Sequence, residues 1–141
     1  MLVLDHGTIR LEIRRAWEES QPNTTDAHEE GGFILDAGDG SFTVERWPRG
    51  SRNRLRIPAF FDGMWNGKRI VATFHTHPNS GPRYFQEPSP TDVAAVRDDP
   101  HLKNPWFEGE YVISLALVYR ILPPGAVESV GATAALLGIT E

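Results

Sequence analysis

The sequence contains no cysteine in its 141 residues. This excludes disulfide frameworks, Cys-based zinc ribbons, iron–sulfur clusters, cysteine proteases and thioester-forming conjugation enzymes. It also excludes zinc deaminases of the usual type, which need a Pro-Cys-x-x-Cys ligand pair. Any metal site has to be built from His, Asp, Glu and water. Long apolar runs are missing too, since no segment approaches the roughly 18 consecutive apolar residues of a membrane helix. The start, Met1-Leu2-Val3-Leu4-Asp5-His6, meets a charge too early for a signal h-region. A cytoplasmic protein without a membrane partner is the expectation. Basic residues are in deficit, 14 Lys+Arg against 19 Asp+Glu for a net charge of -5. That balance weighs against a whole-surface nucleic-acid binder. Repeats, low-complexity tracts and linkers are absent, so residues 1–141 are read as a single domain. With 40% hydrophobic and 23% charged residues the chain has a globular composition.

The segment from Thr8 to Ser20 reads as a helix, because Ile9, Ile13, Ala16 and Trp17 recur at helical spacing and Thr8 could cap it. The alternation of Ile9, Leu11 and Ile13 is the weaker argument for a strand. Phe33 to Ala37, the Gly38-Asp39-Gly40 turn, and Phe42 with Val44 predict a β-hairpin. The stretch 46–58 carries five arginines and reads as a loop leading into a short strand. Asp62-Gly63 and Asn66-Gly67 mark turns, and Arg69 to Phe74 predicts a buried strand. A Pro-rich loop from Pro78 to Pro88 precedes a helix from Ser89 to Asp98, with Ser89 as N-cap and Pro90 in the first turn. Strands are predicted at Tyr111 to Ser114 and Leu117 to Ile121, and a helix from Ala126 to Leu137, ended by Gly138. The order of elements is that of an α/β or α+β layer architecture. The four tryptophans are read as packing residues, and His6, His28 and His101 are assigned no role.

The informative segment is Val71-Ala72-Thr73-Phe74-His75-Thr76-His77-Pro78. On a strand, His75 and His77 project from one face while Thr76 points away. Pro78 ends the strand, which places the pair near solvent, where a catalytic metal must be. Ser89-Pro90-Thr91-Asp92 follows. It is an ordinary capping box, but a carboxylate held in a first helical turn can also be a ligand. Two histidines and one aspartate make the three protein ligands of an open zinc site, with water in the fourth position. A general base is also needed. Glu29 and Glu30, just before Gly31-Gly32 and the Phe33 strand, are the candidates, and these glycines allow close backbone approach.

Glu29-x-x-Gly32 before an apolar strand, His75-Thr76-His77-Pro78 and Ser89-x-x-Asp92 together resemble the JAMM metalloprotease signature of the JAB/MPN+ domain. The resemblance spans residues 28–122, because Tyr111 to Ser114 and Val118 to Ile121 look like that domain's later strands. It implies a mixed, curved β-sheet flanked by helices, similar to the cytidine-deaminase-like core. It implies Zn2+ held by His75, His77 and Asp92, with Glu29 as general acid/base and Ser89 bonding the tetrahedral oxyanion. The Glu-x-x-Gly register favours Glu29 over Glu30. The implied activity is hydrolysis of a peptide or isopeptide bond after the tail of a ubiquitin-like protein. The chain departs from the family between the second histidine and the serine, with eleven intervening residues where about seven is usual. The excess falls in the loop Asn79 to Pro88, and loops take insertions cheaply.

A ubiquitin-like tail is naturally held as an added strand, and Arg49 to Ile57 is the candidate wall of that groove. Its arginines could meet an acidic surface, and Tyr84 and Phe85 could pack on the tail. The alternatives are a noncatalytic MPN scaffold, a hydrolase processing a sulfur-carrier protein, and a nucleic-acid-associated role suggested by the arginines. The complete set of five residues argues against the scaffold, and the net charge against nucleic acid.

Overall fold

The structure, a computed structural model, describes residues 2–139. It is a mixed α+β fold with a seven-stranded sheet and three α-helices. The strands are β1 (Gly31–Asp36), β2 (Phe42–Arg46), β3 (Met64–Trp65), β4 (Lys68–Thr76), β5 (Glu110–Ile113), β6 (Leu117–Ile121) and β7 (Val127–Ala132). The helices are α1 (Gly7–Glu19), α2 (Pro90–Arg97) and α3 (Thr133–Leu137). The sheet order is β2-β1-β4-β5-β6-β7, with β3 also pairing β4. All pairings are antiparallel except β4 with β5. Among the described residues no helix is long and apolar enough to cross a membrane.

The strands alternate, so two cores form on opposite faces. Ile9, Ile13, Ala16 and Trp17 of α1 pack with Ile34, Ala72, Phe74, Tyr111 and Ile113, and Leu137 of α3 joins them. On the other face Phe33, Leu35, Ile70 and Val112 pack with Trp47 and with Val96 of α2. The register of β1 on β4 shifts between Ile34 and Leu35. This bulge lets Ile70 face α2 while Ala72 and Phe74 face α1, so His75 lies on the α2 side.

The predicted hairpin is present, with Asp36 opposite Phe42 and the turn glycine Gly38 at φ +87°. Asn66 and Gly67, at φ 51° and 79°, join β3 to β4. The first helix starts at Gly7 after His6, so Thr8 lies inside it and is not its cap. Two further expectations are corrected. No ladder-forming strand closes the 46–58 loop, whose later part runs without regular structure. The helix expected from Ala126 to Leu137 is instead strand β7 followed by the one-turn α3. Val127, Val130 and Gly131 are poor helix residues, and the antiparallel ladder to Leu117–Ile121 takes their backbone groups. Helix survives only where the chain turns back to bury Leu137, and Gly138 stops it at φ 66°. The tryptophans do pack. Trp17 and Trp47 are buried, Trp65 lies against Phe33, and Arg69 stacks over Trp106 at 4.7 Å.

Candidate metal centre

Strand β4 delivers both histidines. His77 lies one residue beyond it, yet its N–H still donates to the Ile113 carbonyl at 2.7 Å, which prolongs the strand geometry. The two rings therefore stand together, centroids 4.9 Å apart and Nε2 atoms 3.0 Å apart. Thr76 points the opposite way, as period two requires, and its Oγ1 lies 2.6 Å from Ser20 Oγ.

Helix α2 brings the carboxylate. Its start is a reciprocal cap, in which the Ser89 N–H donates to Asp92 Oδ2 at 2.9 Å and the Asp92 N–H donates to Ser89 Oγ at 3.1 Å. Held there, Asp92 puts Oδ2 3.2 Å from His77 Nε2 and Oδ1 3.5 Å from His75 Nε2. Capping and site-building coincide in one residue pair.

Strand register brings Glu29. Gly31 pairs with His75 in antiparallel fashion, so Glu29 falls opposite His77. A Cβ on Gly31 would lie 2.6 Å from the Phe74 carbonyl oxygen and 2.7 Å from the Trp47 ring, so only glycine permits this approach. Carboxylate and imidazole atoms of Glu29, His75 and His77 lie within 4.8 Å of one another, a group that could hold a metal ion. Glu30 points elsewhere. Its carboxylate is buried, 2.6 Å from His28 Nε2 and 2.5 Å from Arg46 Nη2. The structure thus separates the two glutamates that the sequence left adjacent.

Both imidazoles have their remote nitrogens engaged. His75 Nδ1 lies 2.6 Å from Glu110 Oε1, and His77 Nδ1 lies 3.3 Å from the Gln86 carbonyl oxygen. Each bond favours Nδ1–H in the neutral ring, so Nε2, which faces Asp92, can offer its lone pair to a metal once its own proton is lost. Sequence reasoning missed Glu110 and Gln86. The only trace of Glu110 is an acid opening the apolar strand Glu-Tyr-Val-Ile. Gln86 belongs to the long loop. Its side chain donates to the Asn79 carbonyl, while Asn79 Oδ1 accepts from Arg52 Nη1 at 3.1 Å. The loop is thereby clasped to the Arg-rich segment.

Burial is the main cause that raises the pKa of Glu29. The imidazoles pull it down and the carboxylates of Asp92 and Glu110 push it up, with a net rise. Burial opposes a charge on His75 and is its largest influence. Glu110 and Asp92 together outweigh it and hold His75 well above its ordinary value. Burial also disfavours charge on Asp92, but hydrogen bonds from His75 and His77 prevail and keep it far below the carboxylate range.

The donor spacing fits a metal. Ligand atoms about 2.0–2.1 Å from a tetrahedral zinc stand about 3.3 Å apart; the two Nε2 atoms stand 3.0 Å apart, with one Asp92 oxygen 3.2 Å from His77 and the other 3.5 Å from His75. These groups, with Glu29 and Ser89, line a cleft of 690 Å³. One wall includes Asn53, Arg54, Leu55 and Ile57, as expected for the Arg49 to Ile57 segment. Arg83, Tyr84 and Phe85 come from the loop Asn79 to Pro88. Arg49 instead borders a second cleft of 750 Å³ beside His28, Glu30 and Arg46. No protein-family model, curated protein or solved structure matches the chain.

Proposed function

We propose that the chain is a zinc-dependent peptidase or isopeptidase of the JAMM type, with a JAB/MPN fold, acting on the bond after the C-terminal tail of a ubiquitin-like protein. The observation that carries this reading is the convergence of the His75 and His77 Nε2 atoms, 3.0 Å apart, with the Asp92 carboxylate, whose two oxygens lie 3.2 and 3.5 Å from them, and with Glu29 beside them. A mixed sheet with helices on both faces is the layout the reading requires.

In this reading His75 and His77 hold zinc through Nε2 and Asp92 through its carboxylate. When bound, zinc supplies Lewis acidity and lowers the pKa of a bound water to about 7. Glu29 is the looser neighbour, which suits a base better than a ligand. Beside the metal position, its carboxylate would take the proton from water and pass it to the leaving amine. That amine is a lysine ε-amino group in an isopeptide or an α-amino group in a linear fusion. The Ser89 hydroxyl already accepts from the Asp92 N–H, so its own proton is free to donate to the developing oxyanion. Along the cleft wall, the N–H groups of Leu55, Arg56 and Ile57 donate no hydrogen bond among the described residues. They are the edge on which an extended tail can add.

The test is zinc content by elemental analysis, on wild type and His77→Ala purified side by side. About one zinc per chain, lost in the variant, is expected. Cleavage of ubiquitin-like and sulfur-carrier fusions, abolished in Glu29→Gln, then identifies the substrate. No zinc in either protein after loading would leave a noncatalytic scaffold.

A further inference from the structure

We infer that the cleft selects an acidic peptide, with Arg54 and Arg83 forming a carboxylate-binding mouth on its two walls. The identity of the ligand as a peptide rests on the reading above. Charge complementarity carries the rest. The chain has a net charge of -5, and half of its other ten arginines sit on acids; Arg10, Arg49, Arg56 and Arg69 join no ion pair among the described residues either, but none of them lines the metal cleft. Arg14, Arg15, Arg46, Arg97 and Arg120 each pair with a carboxylate. Arg52 gives its guanidinium to Asn79 Oδ1 and the Thr25 carbonyl. Arg54 and Arg83 are exposed, line the metal cleft from its two separate segments, and join no ion pair or side-chain hydrogen bond among the described residues.

The floor of the cleft has the opposite sign, with the carboxylates of Glu29, Asp92 and Glu110. With zinc bound, the ion's own charge offsets most of that negative charge, so the uncompensated charge that can select an anionic side chain lies at the mouth. The favoured ligand therefore places a neutral backbone at the metal and an acidic side chain some residues away. The apolar Leu55 and Ile57 beside Arg54 suit an extended segment between the two. Guanidinium binds carboxylate through paired N–H donors. Exposed pairs of this kind add selectivity and association rate more than raw affinity.

The experiment uses zinc-loaded full-length protein and three fluorescein-labelled decapeptides, identical except for Glu, Gln or Lys at one position outside the reacting amide. Several such positions are scanned. Anisotropy is read at low and moderate salt, and cleavage is followed separately. The Glu peptide is expected to bind about 5–20-fold tighter than the Lys peptide at low salt, the ratio shrinking as salt rises. Arg54→Ala and Arg83→Ala each reduce the ratio, and the double Arg54→Glu, Arg83→Glu variant inverts it. Arg15→Ala, beside the other cleft, leaves it intact. Equal binding of the three peptides at every position, or a preference that survives in the double variant, overturns the inference. Equal cleavage of all three would sink the subsite while upholding the peptidase. Selective binding without cleavage of any fusion would do the reverse.

Discussion

Two His–Glu pairs stand on opposite sides of β1, each at 2.6 Å, and they are built for different ends. In the first, Glu30 accepts from His28 and pairs with Arg46, and His28 Nδ1 lies 3.0 Å from the Asp26 carbonyl. Both nitrogens of His28 and both oxygens of Glu30 are engaged. In the second, Glu110 holds His75 Nδ1, and His75 Nε2 remains beside His77 Nε2 and Asp92. A closed network neutralises buried charge and fastens β1 to β2. The open one leaves two imidazole Nε2 atoms and a carboxylate converging on the cleft. Distance and burial do not distinguish the pairs. What distinguishes them is the coordination capacity left over.

The strongest way to break this contrast is to neutralise the two adjacent glutamates in turn. Glu29→Gln should lower the cleavage rate by about 10²–10⁴-fold, the range for general acid–base chemistry, while zinc content and unfolding midpoint stay near wild type. Glu30→Gln should do the opposite. It strips Arg46 and His28 of their anion, and breaking a buried pair costs about 3–5 kcal/mol. Because Arg46 is 24% exposed, about 2–3 kcal/mol is the fairer expectation after solvent screening. Urea unfolding of the two variants, with zinc analysis and turnover per folded molecule, checks both halves. If Glu30→Gln lost turnover and Glu29→Gln lost stability, the roles assigned to the two clefts would be exchanged.

A smaller effect probes the open pair itself. Glu110→Gln can still accept from His75 Nδ1 but no longer supplies a charge behind the ring. Orienting partners of this kind affect metal affinity by about 10–100-fold. Competition with a chromophoric chelator should show a loss in that range, with one zinc still bound at saturation. An unchanged affinity would make Glu110 merely a buried acid.

Much of the centre was legible because its parts are local. His75 and His77 share a face by strand alternation, and Ser89 with Asp92 follows a capping pattern that the helix start reproduces. The choice of Glu29 over Glu30 is not local. It follows from Gly31 lying opposite His75, a register that joins segments far apart in sequence. Glu110 was illegible for the same reason, since it reaches His75 only through the parallel pairing of β4 with β5. The last strand was misread because Val127, Val130 and the alanines after Gly131 also satisfy a helical spacing. The ladder to β6, which no local pattern reveals, decides it.

The proton sharpens the comparison most finely, because a metal at the open pair would have to displace it, whereas the closed pair has no such position. His75 is held above its ordinary 6.5. In metal-free protein its contribution to stability is therefore complete below 6.5 and lost as pH rises through the raised folded value. Asp92 is displaced downward from 3.8, so its contribution is present above 3.8 and lost as pH falls through the lowered value. Between these limits both contributions are whole, and the metal-free centre is most stable there. A metal binding at Nε2 has to displace the His75 proton, so its affinity should climb by up to about tenfold per pH unit until His75 is deprotonated in the free protein. Thermal unfolding with one equivalent of zinc, compared with chelator, should show a shift in Tm that widens from about pH 5.5 upward and flattens above the His75 pKa. A zinc-induced shift independent of pH over that range would mean that the metal sits on groups other than His75.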